Sequence, residues 1–353
     1  MQMYIPGNCI MLKDERIRTD SRFISGVKYQ DSGDFEEAEK LYNELLEQYP
    51  DDFELRQRIS YVLVHRGKAG DARRHLERAV EMQPDNAMAR YNLGMVVELS
   101  GDQDAAMASL RQALALKPDF YYAQSAIASI LLPYEHYMEI LRRFHQWLRP
   151  SSYVEIGVEA GASMVLAEPP TVCIGIDPDP QIQCKFTAPT RIFSETSDEF
   201  FKNHDLREEL GGRTIDLAFI DGLHHFDAAL KDFINIERFS SKNTVVMIHD
   251  CIPLDKITSV RSRATVFWSG DTWKIIPVLK YFRPDLNIIT IPTPPTGLSV
   301  VTNLDPESRV LGEKLDDIVE EYMLMDYDSL GQEKDDILNV IYDDWPSIQA
   351  RIR

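Results

Sequence analysis

The residues with the clearest capacity for chemistry stand at the ends of two apolar runs. IDLAFID (215–221) leads into Gly222, His224 and His225, and TVVMIHD (244–250) ends in His249 and Asp250. If both runs are strands of one sheet, two carboxylates and up to three imidazoles share its edge. Hard carboxylate oxygens suit a cation such as magnesium, whereas His249 draws the preference toward a softer transition metal. Histidine also serves as a base near neutral pH. A third run, YVEIGV (153–158), opens Glu155-x-Gly157-x-x-x-Gly161 with Ser163 behind it. A fourth, VCIGID (172–177), ends in Asp177, 22 residues after Glu155. Glycines in such a turn admit close backbone approach of a ligand, and a carboxylate at the second strand's tip accepts ribose hydroxyls while rejecting a 2′-phosphate. Each member has a structural alternative. Asp221 suits a helix cap, one of His224 and His225 suits a structural hydrogen bond, His249 can bond a neighbouring loop, and the glycine turn can be a plain strand-to-helix connection.

The elements that would position these groups begin at Ser151. The four runs, with TRIF (190–193), are near-continuously apolar and separated by helix-length segments, which predicts a parallel sheet covered on both faces, with Ser163 opening a helix. Ligands of such sheets sit at the carboxyl ends of the strands. LNIITI and GLSVV, joined by the turn-forming 292–297, read as a final antiparallel hairpin. Trp268, Asp271, Trp273 and Lys274 precede a helix and suit either an acceptor-pocket wall or, for the tryptophans, buried packing. Beyond Leu304 the chain is very acidic, with Leu315, Ile318, Val319 and Tyr322 at helical spacing, so one face packs and the carboxylates meet water.

A repeat dominates the first third. Gly33, Gly67 and Gly101 recur every 34 residues, as do Ala38, Ala72 and Ala106, and Pro50, Pro84 and Pro118. Tyr42, Leu76 and Leu110, and Leu45, Ala79 and Ala113, keep the same phase. The glycines suit a turn between two amphipathic helices, the alanines a close helix contact, and the prolines a helix end. This pattern resembles the tetratricopeptide repeat over about residues 19–120. A fourth unit is degenerate, because Pro133 arrives near the place of the turn glycine while Ala128 holds that of the small residue. The resemblance implies a concave surface for a protein or peptide partner; packing on a neighbouring domain or dimerisation is the alternative.

The second domain resembles the class I S-adenosylmethionine-dependent methyltransferases, and within them the small-molecule and sugar O-methyltransferase-like subgroup. The E-x-G-x-x-x-G turn and the D-x-x-H segment after the fourth strand carry the likeness. It implies that Glu155, Gly157, Gly161 and Ser163 hold the methionine end of S-adenosylmethionine, Asp177 the ribose, and Ser197 and Asp198 the adenine. It further implies Asp221 and Asp250 as ligands of Mg2+ or another divalent cation, and His224, with Asp221, as the catalytic pair. His249-Asp250 departs from the two successive acids of metal-dependent relatives and adds His249 as a candidate ligand. The implied reaction is methylation of a hydroxyl on a carbohydrate or other small molecule. A protein methyltransferase recruited through the repeats, or a tetratricopeptide interaction protein with a degenerate methyltransferase scaffold, are the alternatives.

Composition sets the frame. In 353 residues, 38 basic against 57 acidic side chains leave a net charge of −19, which argues against nucleic acid. Cys9, Cys173, Cys184 and Cys251 form no C-x-x-C pair, and no run is apolar enough to span a bilayer. The expectation is a cytoplasmic protein with reduced thiols: an N-terminal arm (1–18) rather than a signal peptide, tetratricopeptide helices (19–132), a connecting helix (133–150), a Rossmann-like α/β domain with a mostly parallel sheet (151–304), and an acidic helical tail (305–353). Its expected partners are a small-molecule or glycan acceptor, a protein held by the repeats, and further copies of itself in a homo-oligomer, with no nucleic acid and no membrane.

Overall fold

The structure is a computed structural model that describes residues 15–352. Residues 1–14 of the expected arm, with Cys9, lie outside the described residues. The chain divides into two compact units, one running to Ile130 and the other from Leu131 onward.

The first unit is helical throughout. After a short α1 (Glu15–Thr19), whose Ile17 is buried, come the pairs α2 (Ser21–Ser32) with α3 (Phe35–Gln48), α4 (Phe53–His65) with α5 (Ala69–Met82), and α6 (Ala87–Leu99) with α7 (Gln103–Leu116); α8 (Tyr121–Leu131) follows. The repeat columns do what their chemistry suggests. Gly33, Gly67 and Gly101 all take φ between 72° and 81°, and the three alanines, Tyr42, Leu76 and Leu110 are fully buried. Asp52, Asn86 and Asp102 cap the helices they precede by accepting backbone N–H bonds. One column escapes a sequence reading: Gly26, Ser60 and Gly94 keep the 34-residue step inside the first helix of each pair. A Cβ on Gly94 would stand 2.9 Å from Leu110, and one on Gly26 would stand 2.7 Å from the Tyr42 ring. Those glycines admit a neighbouring helix, whereas Gly101 faces open space and serves its φ alone. Gly101→Ala is therefore expected to cost only about 1–2 kcal/mol, the left-handed penalty of an L side chain, read as a small shift of the urea midpoint.

The second unit is built on a seven-stranded sheet of order β3-β2-β1-β4-β5-β7-β6. Its strands are β1 (Ser152–Ile156), β2 (Val172–Ile176), β3 (Thr190–Phe193), β4 (Leu217–Ile220), β5 (Val245–His249), β6 (Asn287–Ile291) and β7 (Leu298–Thr302). β1 to β5 are parallel, and β7 runs antiparallel to both β5 and β6, as the expected hairpin requires. The strand order reverses between β1 and β4, which is where an open sheet of this kind offers a crevice.

Two expected helices are absent. Ser163 does not open an α-helix; the chain makes only a 3-10 turn at Met164–Leu166 before Pro169-Pro170, and the segment 177–189 between β2 and β3 has no helix. Proline explains both, since Pro169 and Pro170 end the first connection and Pro178, Pro180 and Pro189 punctuate the second. The sheet face left bare is covered instead by α9 (Tyr137–Leu148) and the last helix of the chain. Ile140, Leu141 and Phe144 pack with Tyr153, Cys173, Leu217, Met247 and Ile348 in one apolar cluster. The opposite face carries α10 (Ser197–Asn203), α11 (Leu206–Glu209), α12 (Phe226–Arg238) and α13 (Ile275–Phe282).

The acidic C-terminal segment is more firmly integrated than a solvated tail. Of α14 (Val310–Glu313), α15 (Leu315–Met323), α16 (Lys334–Ile337) and α17 (Trp345–Ile352), the first two contribute Leu311 and Ile318 to the core, and Leu330 and Leu338 are buried beside them. Val340 bridges the edge strand at Thr290, whose N–H donates to Asn339 and whose carbonyl accepts from Ile341. The carboxylates of α15 face outward from this buried stripe, which is the amphipathic arrangement its spacing predicts.

Candidate active site

The parallel register brings the ends of β4 and β5 side by side, pairing Ile220 with Ile248, so Asp221 and His249-Asp250 emerge together. Asp250 turns sharply at φ 60°, and His224 sits at φ 56° at the head of the loop into α12. Left-handed backbone at two non-glycine residues of one small cluster is strain held in place by the surroundings. One ligand atom each from Asp221, His224 and Asp250 lie within 4.8 Å of one another. His224 Nε2 stands 3.4 Å from Asp221 Oδ1 and its Nδ1 3.0 Å from Asp250 Oδ2. His249 Nδ1 reaches the same two carboxylates at 3.1 and 3.5 Å.

Two imidazoles and two carboxylates in this proximity shift one another strongly. Burial opposes the charge on Asp221 and on Asp250, but the two imidazoles outweigh it and hold both carboxyls below their ordinary range. Burial likewise opposes protonation of the histidines, and the carboxylates reverse it, raising His249 to about 10 and His224 well above its usual value.

The neighbours fix each member. Thr296 Oγ1 donates to Asp250 Oδ1 at 2.6 Å, leaving Oδ2 toward the histidines. Tyr137 packs over the His249 ring at 4.2 Å between centroids. His224 lies parallel to the Trp268 ring, 5.3 Å away and 17° from coplanar, and its Nδ1 is 3.2 Å from the Trp268 carbonyl oxygen. The Asp271 N–H donates to the His224 carbonyl. Gly270 must be glycine, because a Cβ there would stand 1.9 Å from that carbonyl oxygen.

These contacts decide between the readings of the pair. His224 joins the cluster, whereas His225 Nε2 faces the Arg261 carbonyl and its ring contacts Trp268 edge-on. Asp221 is no helix cap. α12 begins at Phe226, whose N–H donates at 2.8 Å to Asp271, a residue 45 positions away that also pairs with Lys274 at 3.3 Å. Of the expected acceptor wall, Trp268 flanks the cluster, but Trp273 is buried in the core.

Around the first strands the candidate residues are close but partly engaged. Asp177 Oδ2 accepts from the N–H groups of Val158 and Glu159, and its Oδ1 from Asp179, all at 2.8 Å, so it braces the glycine turn from the tip of β2. It remains half-buried, and a carboxylate has further lone pairs for hydroxyl donors. Gly157 takes φ 89° against the Asp221 backbone, and a Cβ on Gly161 would meet Cys184 and Phe186. Glu155 is fully buried, accepting from Tyr153 and from Ser163 at 2.5 Å each, and burial pushes it up to about 8 despite both bonds. It reaches the turn only through Ser163. Asp198 is exposed and lies 3.7 Å from Lys231, while Ser197 faces the buried Asp232 of α12.

The glycine turn after β1, the acid at the tip of β2 and the ends of β4 and β5 fall within one family-model match. Residues 154–251 match the model of a methyltransferase domain. The match runs from within β1 to just past Asp250, so it stops before Trp268, Gly270 and Thr296, the residues that hold the cluster in shape. Methyltransferase domains in general imply S-adenosylmethionine as donor. The first unit matches the tetratricopeptide repeat over residues 26–73 and 58–119.

Solved structures with likeness to the chain include MamA AMB-1, 26% identical over 31% of this chain and 60% of that one, with a TM-score of 0.29. MamA from Desulfovibrio magneticus RS-1 is 20% identical over 32% of this chain and 63% of that one, at 0.31. A Thermobaculum terrenum O-GlcNAc transferase mutant is 18% identical over 60% of this chain and 46% of that one, at 0.32. The chain thus spans under two thirds of the length of each. No curated protein matches it. Among the described residues no helix is long and apolar enough to cross a membrane.

Proposed function

We propose that the second unit methylates a hydroxyl of a carbohydrate or other small molecule, using S-adenosylmethionine, with His224 as the base. The convergence of Asp221, His224 and Asp250 within 4.8 Å, at the mouth of the sheet and beside Trp268, carries this reading. The donor set suits a divalent cation, since the Asp221 and Asp250 carboxylates face one point, with His249 as a further candidate ligand. Such a cation would lower the pKa of the acceptor hydroxyl. The donor supplies a methyl group on a sulfonium, open to in-line displacement, so the protein's task is alignment and proton removal.

The residues divide that task. Asp177 offers the ribose-binding edge, and Gly157 shapes the turn against the tip of β4. Glu155 holds the turn through Ser163, and Ser197 stands at the head of α10 toward the base. With a cation held by Asp221 and Asp250, His224 would lose the proton that those carboxylates keep on it, leaving its imidazole, fixed in direction by Trp268 and Gly270, free to take the hydroxyl proton, and the flat Trp268 suits a sugar ring. The repeats of the first unit would hold a protein segment.

Calorimetry on the full chain tests the donor site. S-adenosylmethionine is expected to bind, and Asp177→Ala to weaken it by about tenfold or more, through loss of charge-assisted hydrogen bonds to the ribose and of the brace on the glycine turn. Folded protein that binds no donor would overturn the reading. Methyl transfer from labelled donor to glycans and to cell protein, assayed side by side, separates a small-molecule acceptor from a protein one.

A further inference from the structure

Residues 256–270 of the loop after β5 carry three cations, Lys256, Arg261 and Arg263, and no acid, in a chain of net charge −19. Two of the three are paired. Lys256 meets Asp328 and Asp326 of the C-terminal segment, and Arg261 reaches Asp227 at 2.7 Å and Asp271 at 3.6 Å. Arg263 is exposed, and among the described residues no carboxylate comes within ion-pair distance of it. Its Nε and Nη2 donate to the carbonyls of Thr265 and Val266, at 3.4 and 3.0 Å, which sets the direction of the guanidinium and leaves its Nη1 edge open. That guanidinium stands over the Trp268 ring, 5.9 Å from its centroid. The indole is itself fixed, its Nε1 donating to the Val260 carbonyl at 2.6 Å, and it is the ring on which His224 stacks at 5.3 Å. Imidazole and guanidinium are therefore separated by no more than the sum of those two ring contacts, a span that one small molecule can bridge.

We propose that the methyl acceptor is an anion, and that Arg263 receives its carboxylate or phosphate while its hydroxyl lies at His224. This rests on the reading of a small-molecule acceptor bound beside Trp268. A guanidinium fork matches either group with two parallel hydrogen bonds. One already turned by its own loop loses little freedom on binding. The many carboxylates elsewhere in the chain do not forbid an anion here, because fields between exposed charges are screened over about 8 Å at physiological salt. The paired cations supply the contrast. Lys256 and Arg261 are engaged in holding the loop to the C-terminal segment and to α12, whereas the contacts of Arg263 stay within its own loop.

The full chain, with labelled S-adenosylmethionine and magnesium, is given one small-molecule cell extract split by anion exchange into retained and unretained pools. Label is expected in the retained pool. Treating that pool with phosphatase beforehand separates the two sources, since incorporation is then lost for a phosphate and kept for a carboxylate. Arg263→Gln should raise the half-saturating amount of the retained pool by about tenfold or more while the maximal rate stays within about twofold. Arg263→Lys should recover part of that loss, and Lys256→Gln should leave half-saturation within about twofold. Label confined to the unretained pool overturns the anionic acceptor. Unchanged half-saturation in Arg263→Gln, or an equal rise in Lys256→Gln, overturns the role of Arg263. Protein that binds the donor and labels neither pool overturns the small-molecule reading, and the proposal with it.

Discussion

Replacing His224 with glutamine is expected to lower kcat by about 10²–10⁴-fold while leaving the dissociation constant of S-adenosylmethionine within about twofold. Glutamine keeps polar reach toward Asp221 and Asp250 but cannot take a proton. The imidazole it replaces is held on every side: stacked on Trp268, within 3.4 Å of both carboxylates, and turned left-handed against Gly270. The His224 side chain meets Trp268, Asp221 and Asp250 rather than Asp177, so donor binding should survive. Single-turnover transfer to the acceptor, measured beside donor binding, separates the two effects. An unchanged kcat removes His224 from the base role, and equal losses in binding and turnover reassign it to the shape of the crevice.

Gly157→Ala is expected to be among the most damaging single-methyl changes in the second unit. The residue takes φ 89°, and its Cβ would stand 2.0 Å from the carbonyl oxygen of Asp221 and 2.5 Å from the carbonyl carbon. Backbone on backbone cannot be relieved by a rotamer. The turn is also pinned by the Gly157 N–H donating to Ile176 and by the Asp221 N–H donating to Ile156. Relief therefore requires β1 and β4 to part at the point where they deliver Asp221. A stability loss above about 4 kcal/mol is expected, or failure to fold, against about 1–2 kcal/mol for Gly101→Ala with its open surroundings. Urea unfolding of the two variants checks the contrast, and equal losses would show that φ alone, not the contact, sets the cost.

The same glycine shows why some of the site was legible from residues and some was not. Its occurrence in E-x-G-x-x-x-G pointed to a turn that a ligand could approach, but the contact that demands glycine is internal, with the tip of β4. Asp177 was placed correctly at the end of β2, yet its bonds to Val158, Glu159 and Asp179 depend on the folded turn. The choice between His224 and His225 rested on Trp268 and Gly270, over 40 positions away.

By itself the sequence determined what depends on short periods and local turn chemistry. The 34-residue repeat, the apolar runs that become strands, the hairpin after residue 286 and the grouping of Asp221 with Asp250 at adjacent strand ends all follow from side-chain spacing, because helix and strand bury one face in a fixed period. Tertiary structure alone decided that α9 and α17 cover the sheet face left bare by the helix-less connections after β1 and β2. It also decided that Asp271 rather than Asp221 caps α12, and which imidazole meets the carboxylates. These outcomes turn on contacts between segments tens to hundreds of residues apart, whose geometry is set by packing and register. The contacts of Gly157 with Asp221 and of Gly270 with His224 are of this kind, and no spacing along the chain encodes them.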